Sequence, residues 1–284
     1  MTHRPIAEGS IPPGLAAPAP GACRWLISLD YDGTLQNPAG PPIVPEFFEQ
    51  MEAWRPYGVR WGINTGRALD YLLEEILPCS PSLPDFICTC ERYVYMADEC
   101  RLLQPATAHN DECHMRNLAL REQLAPHLHR LLAALRNTHP HLQWELAAAD
   151  PLSVEAADSA TMDAIIPHIQ CLESKDCTIQ RAGRYMRFAD SRHTKGTALA
   201  YIMQVWNIPP ERVFIMGDGH NDLDAFRQFP TAWCAAPCTA HTEVLEWLSR
   251  HPGTHSAPEP DVLPELRRWF QNRVNPGNTE KMCP

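Results

Sequence analysis

The sequence has no run of apolar residues as long as the roughly 18 to 20 that a membrane-spanning helix requires. It also lacks an excess of positive charge, since 24 Lys and Arg stand against 34 Asp and Glu and give a formal net charge of -10 at pH 7. Such a chain has no global positive field that would attract nucleic acid or anionic lipid. We therefore expect no membrane span and no nucleic-acid partner, and an anionic ligand must be bound by a few local cations or a metal ion.

Glycine is scarce, with 14 residues against 28 prolines, and the 11 cysteines are an odd number. A chain of 284 residues does not need disulfides for stability, so these cysteines favour reduced thiols in a cytoplasmic protein. The N-terminus has no apolar segment behind a basic start, and we expect no signal peptide. Prolines cluster at 11–20 and 252–264, which predicts a disordered leader over 1–22 and a tether; a flexible tail is expected over 275–284.

Strand and helix signals alternate in two parts of the chain. An apolar run at 24–29 predicts a strand buried on both faces of a parallel sheet. Strand, helix, strand, helix in this order predicts right-handed crossovers onto one sheet. The other elements that we expect in these parts are a strand at 59–63, helices at 46–55 and 68–77, and, far downstream, a helix at 195–205, a strand at 212–216, a helix at 221–228 and a strand at 231–235.

The chain between these two parts is long enough for an inserted α+β domain. Its signals are a long helical pattern broken at Pro126, a strand at 142–146 and a helix at 161–172. The sequence thus predicts an α/β protein with two domains. Their expected boundaries are 23–90 and 186–274 for the parallel-sheet core, and 91–185 for the insertion.

Two carboxylates stand at the end of the first predicted strand, at Asp30 and Asp32. Open α/β sheets bind their ligands at the carboxyl ends of parallel strands, so both acids are expected at a ligand site. One carboxylate can attack as a nucleophile while the other moves protons. Gly33 follows them and permits a tight exit from the strand.

Three further segments lie beside predicted strand ends or helix starts. Residues 64–67 offer the Thr65 hydroxyl, backbone N–H groups and the Arg67 guanidinium, all of which suit phosphate oxygens. Lys195 begins a predicted helix, and residues 217–222 form an acid-rich turn whose hard oxygen ligands favour Mg²⁺. Each segment alone is typical of an ordinary turn or helix start. Four segments of compatible chemistry in one chain are not expected by coincidence.

Together, the four segments at 30–35, 65, 195 and 217–222 resemble the motifs of the haloacid-dehalogenase superfamily, and of its Mg²⁺-dependent phosphatases in particular. The position of the insertion resembles the type-two capped subgroup, which includes Cof-like and sucrose-phosphatase-like enzymes. The resemblance implies a Rossmann-like parallel-sheet core with an inserted α+β cap. It also implies a monomer or homodimer that hydrolyses a small phosphate monoester, most simply a sugar phosphate.

The resemblance implies roles for individual residues. Asp30 would form an aspartyl-phosphate, and Asp32 would protonate the leaving alcohol and then activate water. An acid at position 32 is absent from the dehalogenases, which argues against dehalogenation. The implied binding residues are Asp30, Asp32 (through its backbone carbonyl), Asp218 and Asp222 for Mg²⁺; Thr65, Gly66, Lys195 and Asn221 for phosphate; and Arg67, Arg184, Tyr185 and Arg187 as candidate substrate contacts.

Two other functions stay open. A phosphotransferase or phosphomutase on the same scaffold would retain the phosphoryl group, and a non-catalytic binding protein would keep the fold alone.

The sequence departs from the family at Cys90 and Glu91, where many members carry Asn-Gly. Cysteine and histidine are dense from 79 to 141, but their spacings match no paired zinc pattern. We expect buried thiols and surface imidazoles there.

Overall fold

The structure of the protein is a computed structural model that describes residues 23–36, 43–76, 78, 80–98, 102–147, 152–251, 255–256 and 261–276. The expected leader lies outside the described residues, as do most of the expected tail and part of the proline-rich segment at 252–264. Cys79 and Cys100 lie outside them too.

Twelve strands of the described chain form two sheets. In chain order they are β1 (Trp25–Leu29), β2 (Val59–Asn64), β3 (Phe86–Thr89), β4 (Tyr93–Ala97), β5 (Leu103–Pro105), β6 (Trp144–Ala147), β7 (Ser153–Ala156), β8 (Cys177–Ala182), β9 (Tyr185–Asp190), β10 (Val213–Met216), β11 (Trp233–Ala236) and β12 (His255–Ser256). The larger sheet has the order β12-β11-β10-β1-β2-β3-β4-β5, and the smaller one has the order β6-β7-β9-β8. Strands β12 to β3 are parallel, which confirms the predicted α/β sheet.

Eight α-helices accompany these strands: α1 (Pro45–Trp54), α2 (Leu69–Tyr71), α3 (Thr107–Thr138), α4 (Ser159–Ile169), α5 (Lys195–Trp206), α6 (Asp222–Gln228), α7 (Thr242–Arg250) and α8 (Val262–Trp269). Helices α1 and α8 cover one face of the larger sheet, and α5, α6 and α7 cover the other. Side chains alternate along a strand, so Leu26 packs into one core while Ile27 and Leu29 pack into the other. The strand predicted at 24–29 is buried on both faces, as expected.

The smaller sheet is antiparallel throughout and is covered by α3 and α4, which together enclose a third apolar core. None of the helices in the described chain could cross a membrane; α3 has the length, with 32 residues, but not the hydropathy. Strand β9 ends at Asp190 and α5 begins at Lys195, so the smaller sheet leads directly into a helix of the larger one.

The predicted break at Pro126 is wrong, because α3 runs through it from Thr107 to Thr138. A proline inside a helix removes one backbone hydrogen bond and crowds the preceding turn. The buried leucines of α3 continue at helical spacing on both sides of it: Leu124, Leu128, Leu132 and Leu135. The apolar contacts of this stripe with the smaller sheet outweigh the local cost. The helix predicted at 68–77 is also modified, to the short α2 followed by a π-helical segment, Leu72–Ile76.

Sheet membership differs from the expected boundary of the insertion at both ends. Strands β4 and β5 extend the larger sheet, although they lie within the range 91–185, and β9 belongs to the smaller sheet. At the N-terminal end of the insertion, the difference arises from a tight reversal after β3, where Cys90 and Glu91 have φ angles of 50° and 64°. This left-handed turn returns the chain antiparallel to β3, so that it pairs as β4 before it leaves the larger sheet.

Candidate active site

Three carboxyl groups meet at the carboxyl ends of β1 and β10. Asp30 follows β1, and Asp218 and Asp222 follow β10. The two strands are paired in parallel, with Leu29 opposite Met216, so the residues that follow them emerge at the same edge of the sheet. One carboxylate oxygen from each acid lies within 4.8 Å of the others. The sequence-predicted acids are thus brought together in one cluster.

Lys195 is the cation of this cluster. Its Nζ donates hydrogen bonds to Asp30 Oδ1 and Asp222 Oδ1, both at 2.7 Å. It is only 1% exposed, and burial alone would lower the pKa of Lys195, but Asp222 and Asp30 raise it above its ordinary value. Thr194 caps α5 through a reciprocal pair of hydrogen bonds with Thr197, and Asn64 Nδ2 donates to the Lys195 carbonyl at 3.0 Å. The start of α5 is therefore fixed from two sides.

The charges of the cluster do not balance without a further cation. Burial, followed by the repulsion of Asp30, raises the pKa of Asp218 to about 8. Burial raises the pKa of Asp222 to about 7, although Lys195 counteracts it, and burial also raises the pKa of Asp30. One ammonium group compensates one of three carboxylates, so two negative charges remain when all are ionised. An all-oxygen donor set with this residual charge fits a divalent ion such as Mg²⁺.

Gly33 and Thr34 shape the wall of the cluster. Gly33 has a φ angle of 73°, and a Cβ atom there would lie 2.4 Å from Asp218 Oδ2. Only glycine fits, because it has no side chain and tolerates positive φ. The Thr34 hydroxyl donates to Asp218 Oδ1 at 3.4 Å. This explains why a glycine follows the two acids of the first motif.

Asp32 lies beside this cluster, and its carboxylate is bound by Arg67. Arg67 Nε donates to Asp32 Oδ2 at 2.8 Å and Arg67 Nη2 donates to Asp32 Oδ1 at 2.7 Å. The guanidinium also lies over the ring of Tyr71, 4.2 Å from its centroid. The sequence predicted both residues for the site, but it did not predict that they bind each other.

Thr65 and Gly66 form the turn between β2 and α2. Thr65 is fully buried, and its Oγ1 accepts the backbone N–H of Arg67 at 3.1 Å. The Gly66 carbonyl accepts a hydrogen bond from Arg187 Nη1 at 3.4 Å. Gly66 lines a cavity of about 800 Å³ between the two sheets, whereas Thr65 is not among its lining residues. The turn therefore offers backbone groups to the cavity more directly than the threonine side chain.

Glu91 connects three parts of the site. Its Oε1 accepts a hydrogen bond from Asn221 Nδ2 at 2.8 Å and forms an ion pair with Arg187 Nη2. Arg187 Nε in turn donates to Gln180 Oε1 at 2.9 Å. The side chains of Glu91 and Arg187 are each only 4% exposed. Asn221 is therefore held by Glu91, an arrangement that sequence reasoning missed; its one sequence signal is the acid that replaces glycine after β3.

A cavity of about 800 Å³ lies between the carboxyl edge of the larger sheet and the smaller sheet. From the larger sheet it is lined by Asp30, Asp32, Gly66, Arg67, Asp218 and Asn221, and from the smaller sheet by Glu155, Gln180, Arg181, Arg184, Tyr185 and Arg187. All four candidate substrate residues thus border one cavity. Lys195, Asp222 and Thr65 are buried and are not among its lining residues.

Comparisons with known proteins agree with this architecture. Residues 135–241 match the family described as haloacid dehalogenase-like hydrolase. The fold is similar to that of the sucrose-phosphatase of Synechocystis sp. PCC6803, solved with sucrose and phosphate, at a TM-score of 0.64 and 16% identity, covering 88% of this chain and 98% of that chain. A protein of Streptococcus mutans UA159 is similar at a TM-score of 0.60 and 14% identity, covering 87% and 99% of the two chains.

A sugar phosphatase of haloacid-dehalogenase subclass IIB is similar at a TM-score of 0.53 and 16% identity, covering 82% of this chain and 93% of that chain. The predicted resemblance to the haloacid-dehalogenase superfamily, and to its type-two capped members, is therefore confirmed. Residues 135–241 thus match this family, and the chain has the fold of these capped proteins.

Proposed function

We propose that the protein is a Mg²⁺-dependent phosphatase that hydrolyses a sugar phosphate through an aspartyl-phosphate. The observation that carries this proposal is that Asp30, Asp32 and Asp218 line one cavity, with the buried Lys195 hydrogen-bonded to Asp30 behind it. A nucleophile, a buried cation, a candidate metal ligand and a proton donor are the groups that phosphate-ester hydrolysis through a carboxylate requires. The family match and the names of the similar structures support the same reaction.

In the first step, a carboxylate oxygen of Asp30 attacks phosphorus while the bond from phosphorus to the leaving oxygen breaks. Lys195 holds Asp30 Oδ1, which leaves the other oxygen of Asp30 for the attack. Asp32 gives its proton to the leaving alcohol, so no free alkoxide forms. The Lys195 ammonium, buried beneath the phosphoryl oxygens, stabilises the charge that they carry in the transition state.

In the second step, Asp32 takes a proton from water, and the resulting hydroxide attacks the aspartyl-phosphate. The bond between Asp30 and phosphorus breaks, which releases inorganic phosphate and restores the carboxylate. We assign Asp30, Asp218 and Asp222, with the Asp32 backbone carbonyl, to Mg²⁺. When bound, the ion supplies the positive charge that lets a carboxylate approach an anionic ester.

The cavity wall supports an uncharged, hydroxyl-rich leaving group. Each arginine that lines the cavity faces a carboxylate, in the pairs Arg67–Asp32, Arg181–Asp163, Arg184–Glu155 and Arg187–Glu91. With Arg67 reserved for the phosphoryl group, the other three guanidinium groups stay paired with carboxylates, so the wall offers hydrogen-bonding atoms for hydroxyls rather than an unpaired cation for a second anionic group. The described cysteines are free thiols, which supports a reducing, cytoplasmic location.

The experiment is a panel of phosphate esters, including sugar, acyclic and nucleoside monophosphates, assayed for inorganic phosphate release with Mg²⁺ and with EDTA. We expect sugar phosphates to give the highest kcat/KM, EDTA to abolish release, and Asp30→Asn to be inactive but folded. Acceptor-dependent product without inorganic phosphate would instead indicate a transferase. Hydrolysis of no ester by the folded protein would overturn the proposal.

A further inference from the structure

Three side chains outside the acid cluster converge at the rim of the same cavity. The rings of His220 and His241 lie 4.8 Å apart between centroids, and His220 Nε2 lies 3.3 Å from Glu243 Oε2. One donor atom from each of the three side chains lies within 4.8 Å of the others. His220 and His241 line the cavity, whereas Glu243 is not among its lining residues. None of the three has a role in the proposed hydrolysis.

The backbone holds these residues in place. His220 lies in the turn between Asp218 and Asp222, and the N–H of His241 donates to the Asp218 carbonyl at 2.9 Å. Helix α7 begins at Thr242, immediately after His241, so Glu243 lies in its first turn. In the part of the chain that the structure describes, His220 Nδ1 is a buried nitrogen without a hydrogen-bond partner. The two imidazoles are thus fixed by a tight turn and a helix start that are hydrogen-bonded to each other.

The donor set differs from that of the acid cluster. Two imidazole nitrogens and one carboxylate oxygen suit a borderline ion such as Zn²⁺, whereas three carboxylates suit Mg²⁺. Two donors bound to one tetrahedral Zn²⁺ at about 2 Å each lie about 3.3 Å apart. The three donor atoms lie within 4.8 Å of one another and therefore need to approach by up to about 1.5 Å, and the Glu243 side chain, 62% exposed, has room to move. A simple pairing of His220 with Glu243 would not explain why the His241 ring lies beside them, whereas a shared metal ion would.

We propose that His220, His241 and Glu243 bind one Zn²⁺ ion at the rim of the substrate cavity, and that the bound ion inhibits hydrolysis. Because two of the ligands line the cavity, an ion between them occupies space beside the substrate path and ties the turn at 217–222 to α7. The binding part of this proposal stands on the geometry alone. The inhibitory part rests on the proposed phosphatase activity.

The binding test is a calorimetric titration of the full chain with Zn²⁺ in a large excess of Mg²⁺, which keeps the acid cluster occupied. We expect one Zn²⁺ site, weakened about tenfold or more by Glu243→Gln because one of three protein ligands is lost. Glu246→Gln is the matched control, since Glu246 lies on the same helix and pairs only with Arg250 among the described ion pairs. Co²⁺ bound in place of Zn²⁺ should give visible absorption bands that Glu243→Gln alters. Equal Zn²⁺ affinity in all three proteins would overturn the site.

The activity test measures Zn²⁺ inhibition of the same proteins at saturating Mg²⁺. The Zn²⁺ concentration for half inhibition should rise about tenfold in Glu243→Gln and stay unchanged in Glu246→Gln, in step with the affinities. Unequal affinities with equal inhibition would overturn the inhibitory role and leave the site. If the wild-type protein binds Zn²⁺ at this site but hydrolyses no ester, the proposed function fails and the site stands.

Discussion

Arg67 binds the carboxylate of Asp32 through two parallel N–H···O bonds, at 2.8 and 2.7 Å. Both side chains are about two-fifths exposed at the cavity wall, and the pair is therefore accessible to a ligand. A guanidinium binds a phosphate with the same bidentate geometry as a carboxylate. We infer that an incoming phosphoryl group competes with Asp32 for Arg67, so that ester binding frees the proposed proton donor at the moment it is needed.

We expect Arg67→Ala to raise KM for phosphate esters about tenfold or more, because a guanidinium that contacts the phosphoryl oxygens is lost. Arg67→Lys should recover only part of this loss, since an ammonium group cannot form both parallel bonds. Steady-state kinetics on one ester measure both. Arg130→Ala, a change on the exposed face of α3, should leave KM unchanged; an unchanged KM in Arg67→Ala would contradict the contact.

The loss of kcat on replacing Asp32 should depend on the leaving group of the ester. We expect Asp32→Asn to lower kcat about 10²- to 10⁴-fold on a sugar phosphate, whose alcohol needs a proton to depart. The loss should be much smaller on an aryl phosphate, because a phenolate leaves without protonation. The ratio of kcat values on the two esters is the measurement, with thermal melting as the check of folding. Equal losses would argue against proton transfer by Asp32.

Lys195 should matter for stability as well as for turnover. It is 1% exposed, and Lys195→Met leaves Asp30 and Asp222 without their ammonium partner. Breaking a buried ion pair from one side destabilises a protein by about 3 to 5 kcal/mol, so the urea midpoint should fall markedly. Mg²⁺ should restore part of the loss by supplying charge to the same carboxylates. Lys175→Met, at an exposed position, is the control and should melt like the wild type.

The carboxyl groups of the cluster should make the metal-free protein less stable as pH rises from the ordinary aspartate pKa of 3.8 to about 8, where the loss is complete. The pKa of Asp218 is raised to about 8 and that of Asp222 to about 7, so the folded state binds more protons than the unfolded chain until these groups ionise. Histidine acts in the opposite direction at lower pH. Burial lowers the pKa of His193 from 6.5 to about 4, so this group makes the folded state less stable as pH falls below about 6.5.

Urea unfolding in EDTA at about pH 7 and about pH 8.5 measures this effect. We expect a lower free energy of unfolding at the higher pH, and a smaller difference in Asp218→Asn or in the presence of Mg²⁺, which stabilises the ionised carboxylates. A metal-free wild-type protein that is equally stable at both pH values would show that burial and mutual repulsion do not raise the pKa values of these carboxyl groups as described.

The pair of Glu91 and Arg187 can be tested by a double-mutant cycle. Glu91→Gln and Arg187→Met should each destabilise the protein, because each leaves a buried charge without its partner. The double variant should lose less stability than the sum of the two, since neither charge is then present. Urea unfolding of the four proteins gives the coupling energy. Strict additivity would mean that the two groups do not interact.

The acids of the site could be found from the sequence because their positions depend on local signals. Asp30 and Asp218 each follow a short apolar run, and parallel strands bring their ends to the same edge. The pair of Arg67 and Asp32 could not be found in this way, because it depends on side-chain conformations in two separate loops of the larger sheet. The pair of Glu91 and Arg187 depends on how the smaller sheet is set against the larger one. The continuity of α3 through Pro126 could not be predicted for a similar reason. The destabilising effect of the proline is local, whereas the leucine contacts that compensate for it are made with strands distant in the sequence.

Strand β9 of the smaller sheet carries Arg187 and ends only five residues before Lys195. A short stretch of backbone, capped at the start of α5, therefore joins Arg187, which lines the cavity, to the buried Lys195. Because only residues 191–194 separate β9 from α5, the position of the smaller sheet constrains where the Lys195 ammonium lies.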